Sequence, residues 1–153
     1  MTTRLLILAC GNADRGDDAL GPEFARRAHA HSKEGDIEIL VTTQFQVEHA
    51  FDIRGRARVL FVDAAAHGPA PFSFDSAKPE RDRSFSSHDL TPAAVLAACA
   101  IAFGAEAVPD AHLLAIRGYD FTLGAPATDQ ARANLEAALR WFATHLLPAR
   151  RIA

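Results

Sequence analysis

Lysine is nearly missing from this 153-residue chain: Lys33 and Lys78 are the only two among 16 basic residues, the rest being arginine. Cysteine is as scarce. Cys10 and Cys99 stand alone, without a C-x-x-C pair, which excludes a disulfide framework and a thiolate zinc cage and fits a reducing compartment. No apolar run approaches the roughly 20 residues a membrane span requires. The opening Met1-Thr2-Thr3-Arg4 leads into a short apolar run with no signal-peptidase site, so a first strand and a cytoplasmic protein without membrane attachment are expected. A net charge of −3 supplies no electrostatic footing for nucleic acid. Gly-x-Ser-x-Gly, His-Glu-x-x-His, Gly-x-Gly-x-x-Gly and the Walker spacing are all missing, which removes triad hydrolases of that type, ordinary zincins and phosphate-loop proteins. Internal repeats are absent too.

What remains is an ordinary globular composition, 49% hydrophobic and 23% charged, long enough for one domain over 1–153 with a proper core. The chain is organised around the stretch from Cys10 to Pro22. An apolar run ends at Cys10, glycines at 11, 16 and 21 punctuate an acidic loop, and Pro22 opens an amphipathic segment. This reads as strand, irregular loop, helix. Proline belongs in the first helical turn, where its missing N–H is not needed. A helix starting at Gly21 with Pro22 as its first residue meets that condition; one capped by Asp18 does not. Asp17 and Asp18 are therefore left for another role, and adjacent carboxylates need a cation, donors or water to offset them. Which of the two carries the chemistry stays open at this point.

The rest alternates. Arg4–Cys10, Ile37–Thr42, Arg58–Ala65 and His112–Ile116 are predicted strands, the third ending on Asp63. Helices are predicted over Pro22–His31, Gln44–Ile53, Ala93–Phe103 behind Thr91 and Pro92, and a last segment behind Thr128 with Ala131, Leu135, Ala138, Leu139 and Phe142 on one face. The third of these is apolar nearly all round and expected to be well buried. Between Ala66 and Asp89 the texture becomes proline-, serine- and charge-rich, with one edge strand expected near Phe72–Ser76. Units of about 30 residues in this alternation specify an open, mainly parallel α/β sheet between helical layers. Such a sheet gathers its strand ends at one edge, where ligands bind.

Three groups fall on that edge: the Asp17–Asp18 pair after the first strand, Asp63 ending the third, and His88 shortly before the third helix. Two carboxylates and an imidazole suit a borderline divalent ion such as nickel, zinc or iron(II), with coordination positions left over. Each also has a plainer role, as a turn-capping Asp or a solvated loop His. Neither cysteine has an evident His–Asn arrangement, and Ser84 to Ser87 have no base partner.

Taken together these segments resemble the hydrogenase maturation proteases, endopeptidases that trim the C-terminal tail of the nickel-iron hydrogenase large-subunit precursor. Gly11-Asn12-Ala13-Asp14-Arg15-Gly16-Asp17-Asp18-Ala19-Leu20-Gly21 is similar to that family's Gly-Asn … Asp-Asp/Glu-Gly-x-Gly signature. Val59-Leu60-Phe61-Val62-Asp63-Ala64 resembles its apolar strand ending in Asp-Ala, and Ser86-Ser87-His88-Asp89-Leu90 its Ser-x-His-Asp/Glu-hydrophobic motif. The resemblance covers roughly the first two thirds of the chain. It implies a five-stranded twisted sheet flanked by helices, and it maps the family's metal-contacting and catalytic groups onto Asp18, Asp63 and His88. It also implies an aspartyl-type endopeptidase whose nickel arrives with the precursor, with no organic cofactor, acting as a monomer on that one partner. Asn12 and Gln44 are its substrate-binding candidates. Two departures stand out: Ala19 replaces a usual glycine, and Thr42-Thr43-Gln44-Phe45-Gln46-Val47-Glu48 replaces an Asp-Gly-Gly-Thr-like turn. The competing reading is a non-enzymatic acidic pocket, either a metal carrier or a receiver-type switch. A receiver needs a lysine after the last strand, where this chain has Arg117.

Overall fold

The computed structural model describes residues 5–32, 35–80 and 90–147. Its strands are β1 (Leu5–Cys10), β2 (Ile37–Thr42), β3 (Arg58–Ala65), β4 (Phe72–Ala77) and β5 (Asp110–Arg117). Its α-helices are α1 (Leu20–Ala30), α2 (His49–Ile53), α3 (Pro92–Phe103) and α4 (Asp129–His145). The strands form one sheet in the order β2-β1-β3-β5-β4, parallel throughout except for the β4–β5 pair. This is the α/β architecture read from the alternation, with its antiparallel strand at the edge.

Burial on both sheet faces explains the unbroken apolar strands. Every residue of β1 is buried, and its side chains divide between two cores by simple alternation. Leu5, Ile7 and Ala9 pack with Phe24, Ala25 and Ala28 of α1 and Leu135, Leu139 and Phe142 of α4. Leu6, Leu8 and Cys10 face the other way, toward Ala50 and Ile53 of α2 and Val95, Leu96 and Cys99 of α3. The Phe24 and Phe142 rings meet edge to face, centroids 5.3 Å apart, and join α1 to α4. Close approach of α1 to β1 requires Gly21: a Cβ there would lie 2.2 Å from the Cys10 carbonyl oxygen.

Several expectations shift. Helix α1 begins at Leu20, not at Gly21 or Pro22, because a single 3-10 turn over Gly16–Ala19 feeds directly into it. Pro22 thus sits third in the helix, still within the turn whose N–H groups have no helical acceptor. Helix α2 starts at His49, five residues after the expected Gln44. The backbone from Thr43 to Gln46 is held outside it by Phe45, which turns its ring into the core at 2% exposure. Helix α3 buries Ala94, Val95, Leu96, Ala97 and Cys99 but leaves Ile101 71% exposed, so it is less enclosed than its composition suggests. Thr91 and Thr128 cap their helices as read, accepting from Ala94 N and Ala131 N. Among the described residues no helix is long and apolar enough to cross a membrane. Arg4, the Ser84–Ser87 run, His88 and the Arg150-Arg151 tail lie outside the described residues.

Candidate active site

In the order β2-β1-β3 the chain leaves β1 to one side and returns to β3 on the other. That reversal opens a crevice beyond the strand C-termini, between the loops that follow β1 and β3. A cleft of about 600 Å³ occupies this end of the sheet, lined by Cys10, Asn12, Arg15, Asp18, Thr43, Gln44 and Asp63. Four of the residues singled out from the sequence therefore share one cavity: Asn12, Asp18, Gln44 and Asp63. The fifth, His88, lies outside the described residues.

The two neighbouring acids part company on the 3-10 turn, where successive side chains point about 120° apart. Asp17 points inward and is fully buried. Its Oδ1 accepts from Thr128 N at 2.6 Å, and its Oδ2 from Tyr119 N at 2.7 Å, Asp120 N at 3.1 Å and Thr128 Oγ1 at 2.9 Å. Burial pushes this carboxyl upward, yet the donors from Thr128, Tyr119 and Asp120 together outweigh it and hold it below the usual carboxylate range. Asp17 is therefore spoken for as the tie between the loop after β1 and the loop after β5. Asp18 points outward to the cleft, and its Oδ2 accepts from Asn12 N at 2.7 Å.

The backbone around Asp18 is closely determined. Asn12 Oδ1 accepts from Asp14 N at 2.8 Å, folding the loop back on itself. Gly16 adopts φ +56°, and a Cβ there would lie 2.2 Å from the Asp120 carbonyl oxygen, so only glycine lets the two loops meet. Asp63 sits near the end of β3, opposite Ala115 of β5, with Oδ1 accepting from Ala64 N at 2.8 Å. On the β2 side, Thr42 Oγ1 donates to the Gln44 carbonyl at 2.8 Å and Gly11 N donates to the Thr42 carbonyl at 2.9 Å. Phe45 packs edge-on against Phe61, centroids 5.4 Å apart. Gln44 is thereby placed at the rim from an extended segment, not from a helix.

Chemically the cleft offers two carboxylates, the Asn12 and Gln44 amides, a threonine, a thiol and a guanidinium. Cys10 Sγ donates to the Thr43 carbonyl at 3.5 Å. Among the described residues no three His, Cys, Asp or Glu side chains cluster with metal-holding geometry. The described part of the site is thus two carboxylates and two hydrogen-bonding amides lining one cleft.

The fold recurs in solved structures. The chain has the fold of the hydrogenase maturation proteases. It is similar to the [NiFe] hydrogenase maturation protease HycI from Thermococcus kodakarensis KOD1, at TM-score 0.71 and 23% identity over 93% of this chain and 91% of that one. It is similar to the hydrogenase maturating endopeptidase HybD from E. coli, at TM-score 0.72 and 21% identity over 91% and 89% of the two chains. The [NiFe] hydrogenase maturation protease HybD from Thermococcus kodakarensis superposes at TM-score 0.68, with 20% identity over 95% of this chain and 99% of that one. No family model matches the sequence, and no curated protein sequence does either.

Sequence reasoning passed over Arg15 and Thr43, both of which line the cleft of this maturation-protease fold. Arg15 carried a signal, as the only base within an acidic loop. Thr43 carried none, because its position depends on where α2 begins.

Proposed function

We propose that this protein is an endopeptidase that removes the C-terminal extension of a nickel-loaded [NiFe]-hydrogenase large-subunit precursor. One observation carries the reading: Asp18 and Asp63, 45 positions apart in sequence, line a single cleft at the strand-order reversal of this fold. The names of the structural neighbours supply the substrate class. Nickel is part of the substrate here. Asp18, Asp63 and His88 would complete its coordination, and this oxygen and imidazole set suits a borderline divalent ion. An unloaded precursor would leave the two carboxylates facing a neutral surface, so the ion makes the difference in affinity between loaded and unloaded forms. With the carbonyl of the scissile bond near that ion, hydrolysis needs a water whose proton is taken by a carboxylate of the cleft. Asn12 and Gln44 offer amides to the extended substrate chain.

Against a receiver-type switch stands the end of β5. Arg117 occupies the position a lysine would need, and its guanidinium donates to the Gly68 carbonyl at 2.6 Å and the Gly118 carbonyl at 3.1 Å. It also lies over the Tyr119 ring, 4.8 Å from the centroid, and so is committed to tying loops together.

The test is a gel assay of cleavage on nickel-loaded and nickel-free precursor with wild type, Asp18→Ala, Asp63→Ala and His88→Ala. Wild type is expected to cut only the loaded form, and each variant to lose cleavage. Failure of wild type to shorten any loaded precursor would end the protease reading. Full cleavage by His88→Ala would remove that residue from the site.

A further inference from the structure

The cleft contains one cation among its described lining residues, and its presence works against the metal coordination proposed for the same cleft. Arg15 lies three positions before Asp18 in the same loop. A guanidinium that lines the same cleft as two carboxylates weakens their hold on a divalent ion by repulsion. It stabilises no loop geometry in return: the side chain is exposed, and among the described residues it takes part in no hydrogen bond, ion pair or ring contact. Other arginines of the structure are engaged. Arg27 makes a paired bond to Glu136, Arg56 to Glu38, and Arg117 to two carbonyls.

The Arg15 backbone is nevertheless pinned. Its N–H donates to the Asn12 carbonyl at 3.1 Å, its carbonyl accepts from Asp18 N at 3.0 Å, and the next residue, Gly16, donates to Ala125 O at 3.0 Å. A fixed main chain thus presents an unspent planar fork at the mouth of an acidic cleft. Such a fork fits a carboxylate through two parallel bonds.

We infer that Arg15 is a specificity-determining residue that pairs with a carboxylate of the chain bound in the cleft. The inference rests on the protease reading for the identity of that chain. The carboxylate belongs either to an Asp or Glu side chain of the extension or to its terminal α-carboxylate. Asp18 and Asp63 then face the metal-bearing part of the substrate while Arg15 faces the anionic part. This separation of charge fixes the direction in which the extension lies.

The experiment uses the full-length protein and nickel-loaded precursor, with dissociation constants from calorimetry and KM and kcat from cleavage. Arg15→Ala is expected to weaken binding and raise KM roughly tenfold, the size of a lost charge-assisted pair, with kcat within about twofold. Arg15→Lys should recover part of the loss. Replacing acidic residues of the extension one at a time by Asn or Gln locates a side-chain partner. Lengthening the tail by a few neutral residues displaces the α-carboxylate and identifies it if it is the partner. Arg15→Glu paired with lysine at the responsible position should regain affinity. Unchanged KM and Kd in Arg15→Ala would overturn the inference, as would a fall in kcat alone. If wild type binds the precursor without cutting it, the protease reading fails while the Arg15→Ala affinity still decides this one. If it neither binds nor cuts, both are gone.

Discussion

The Thr128 hydroxyl donates to Asp17 Oδ2 at 2.9 Å while accepting from Ala131 N at 3.2 Å, so one oxygen both holds the buried carboxylate and caps α4. Its backbone N–H donates to the other carboxylate oxygen at 2.6 Å. Residues 111 positions apart thereby lock the loop that presents Asp18 to the start of the last helix. Asp17 has no part in the proposed chemistry, yet the geometry of Asp18 depends on it.

Asp17→Asn should therefore destabilise the fold by about 2–4 kcal/mol. It removes charge-assisted bonds worth about 1.5–3 kcal/mol each and turns an amide NH2 toward backbone donors. Thr128→Ala should cost about 1–2 kcal/mol through the lost cap and donor. Because the two residues share bonds, the double variant should fall short of the sum. Urea unfolding of the four proteins reads all of this. An additive cycle would mean that the Thr128 contribution is confined to the helix.

The same carboxylate makes stability depend on acid. Burial raises its pKa, but the donors lower it further, so the folded value lies below the unfolded one. Between those two values the unfolded chain binds more protons, and stability rises with pH. The contribution is complete above the ordinary carboxylate range and is lost as pH falls below about 4 toward the folded value. Urea midpoints taken from pH 6 down to pH 2.5 should drop more steeply in wild type than in Asp17→Asn. Parallel curves would assign the acid sensitivity to other carboxylates.

Much of this fold was legible because its strands are apolar without interruption and its helices carry caps. β3, the Thr91 and Thr128 caps and the buried stripe of α4 stand where the sequence puts them. The start of α2 was not legible. The expected helix from Gln44 carries Phe45, Val47, Phe51 and Ile53, with Val47 and Phe51 at helical spacing, but Phe45 is captured by Phe61 from the sheet, and a tertiary contact overrides the local pattern. The acidic pair shows the same limit. Two adjacent aspartates look alike in one dimension. What separates them is the 118–128 loop, which supplies four donors to Asp17 and none of those to Asp18.

That separation predicts opposite phenotypes for neighbouring residues. Asp18→Asn and Asp63→Asn should change stability by no more than about 1 kcal/mol, as expected of substitutions away from the core. Both should abolish cleavage of loaded precursor. Asp17→Asn should do the reverse at a temperature where it stays folded, cutting measurably while melting earlier. Thermal melts beside the gel assay suffice. An inactive but fully stable Asp17→Asn protein would place the chemistry on the wrong aspartate.

Phe45 joins the core to the rim of the cleft, and two substitutions there separate its tasks. Its ring is 2% exposed, and its carbonyl accepts from Leu90 N at 3.0 Å, just ahead of α3. Phe45→Ala should cost about 3–5 kcal/mol by leaving a cavity against Phe61. Phe45→Leu keeps most of the volume and should cost about 1.5 kcal/mol, leaving a folded protein to assay. If the ring is what holds Gln44 at the cleft, this milder variant should raise KM several-fold with kcat unchanged. The rival anchor is Thr42, whose hydroxyl donates to the Gln44 carbonyl at 2.8 Å. Should Thr42→Val raise KM while Phe45→Leu does not, the hydroxyl sets the amide's position and the aromatic ring serves packing alone.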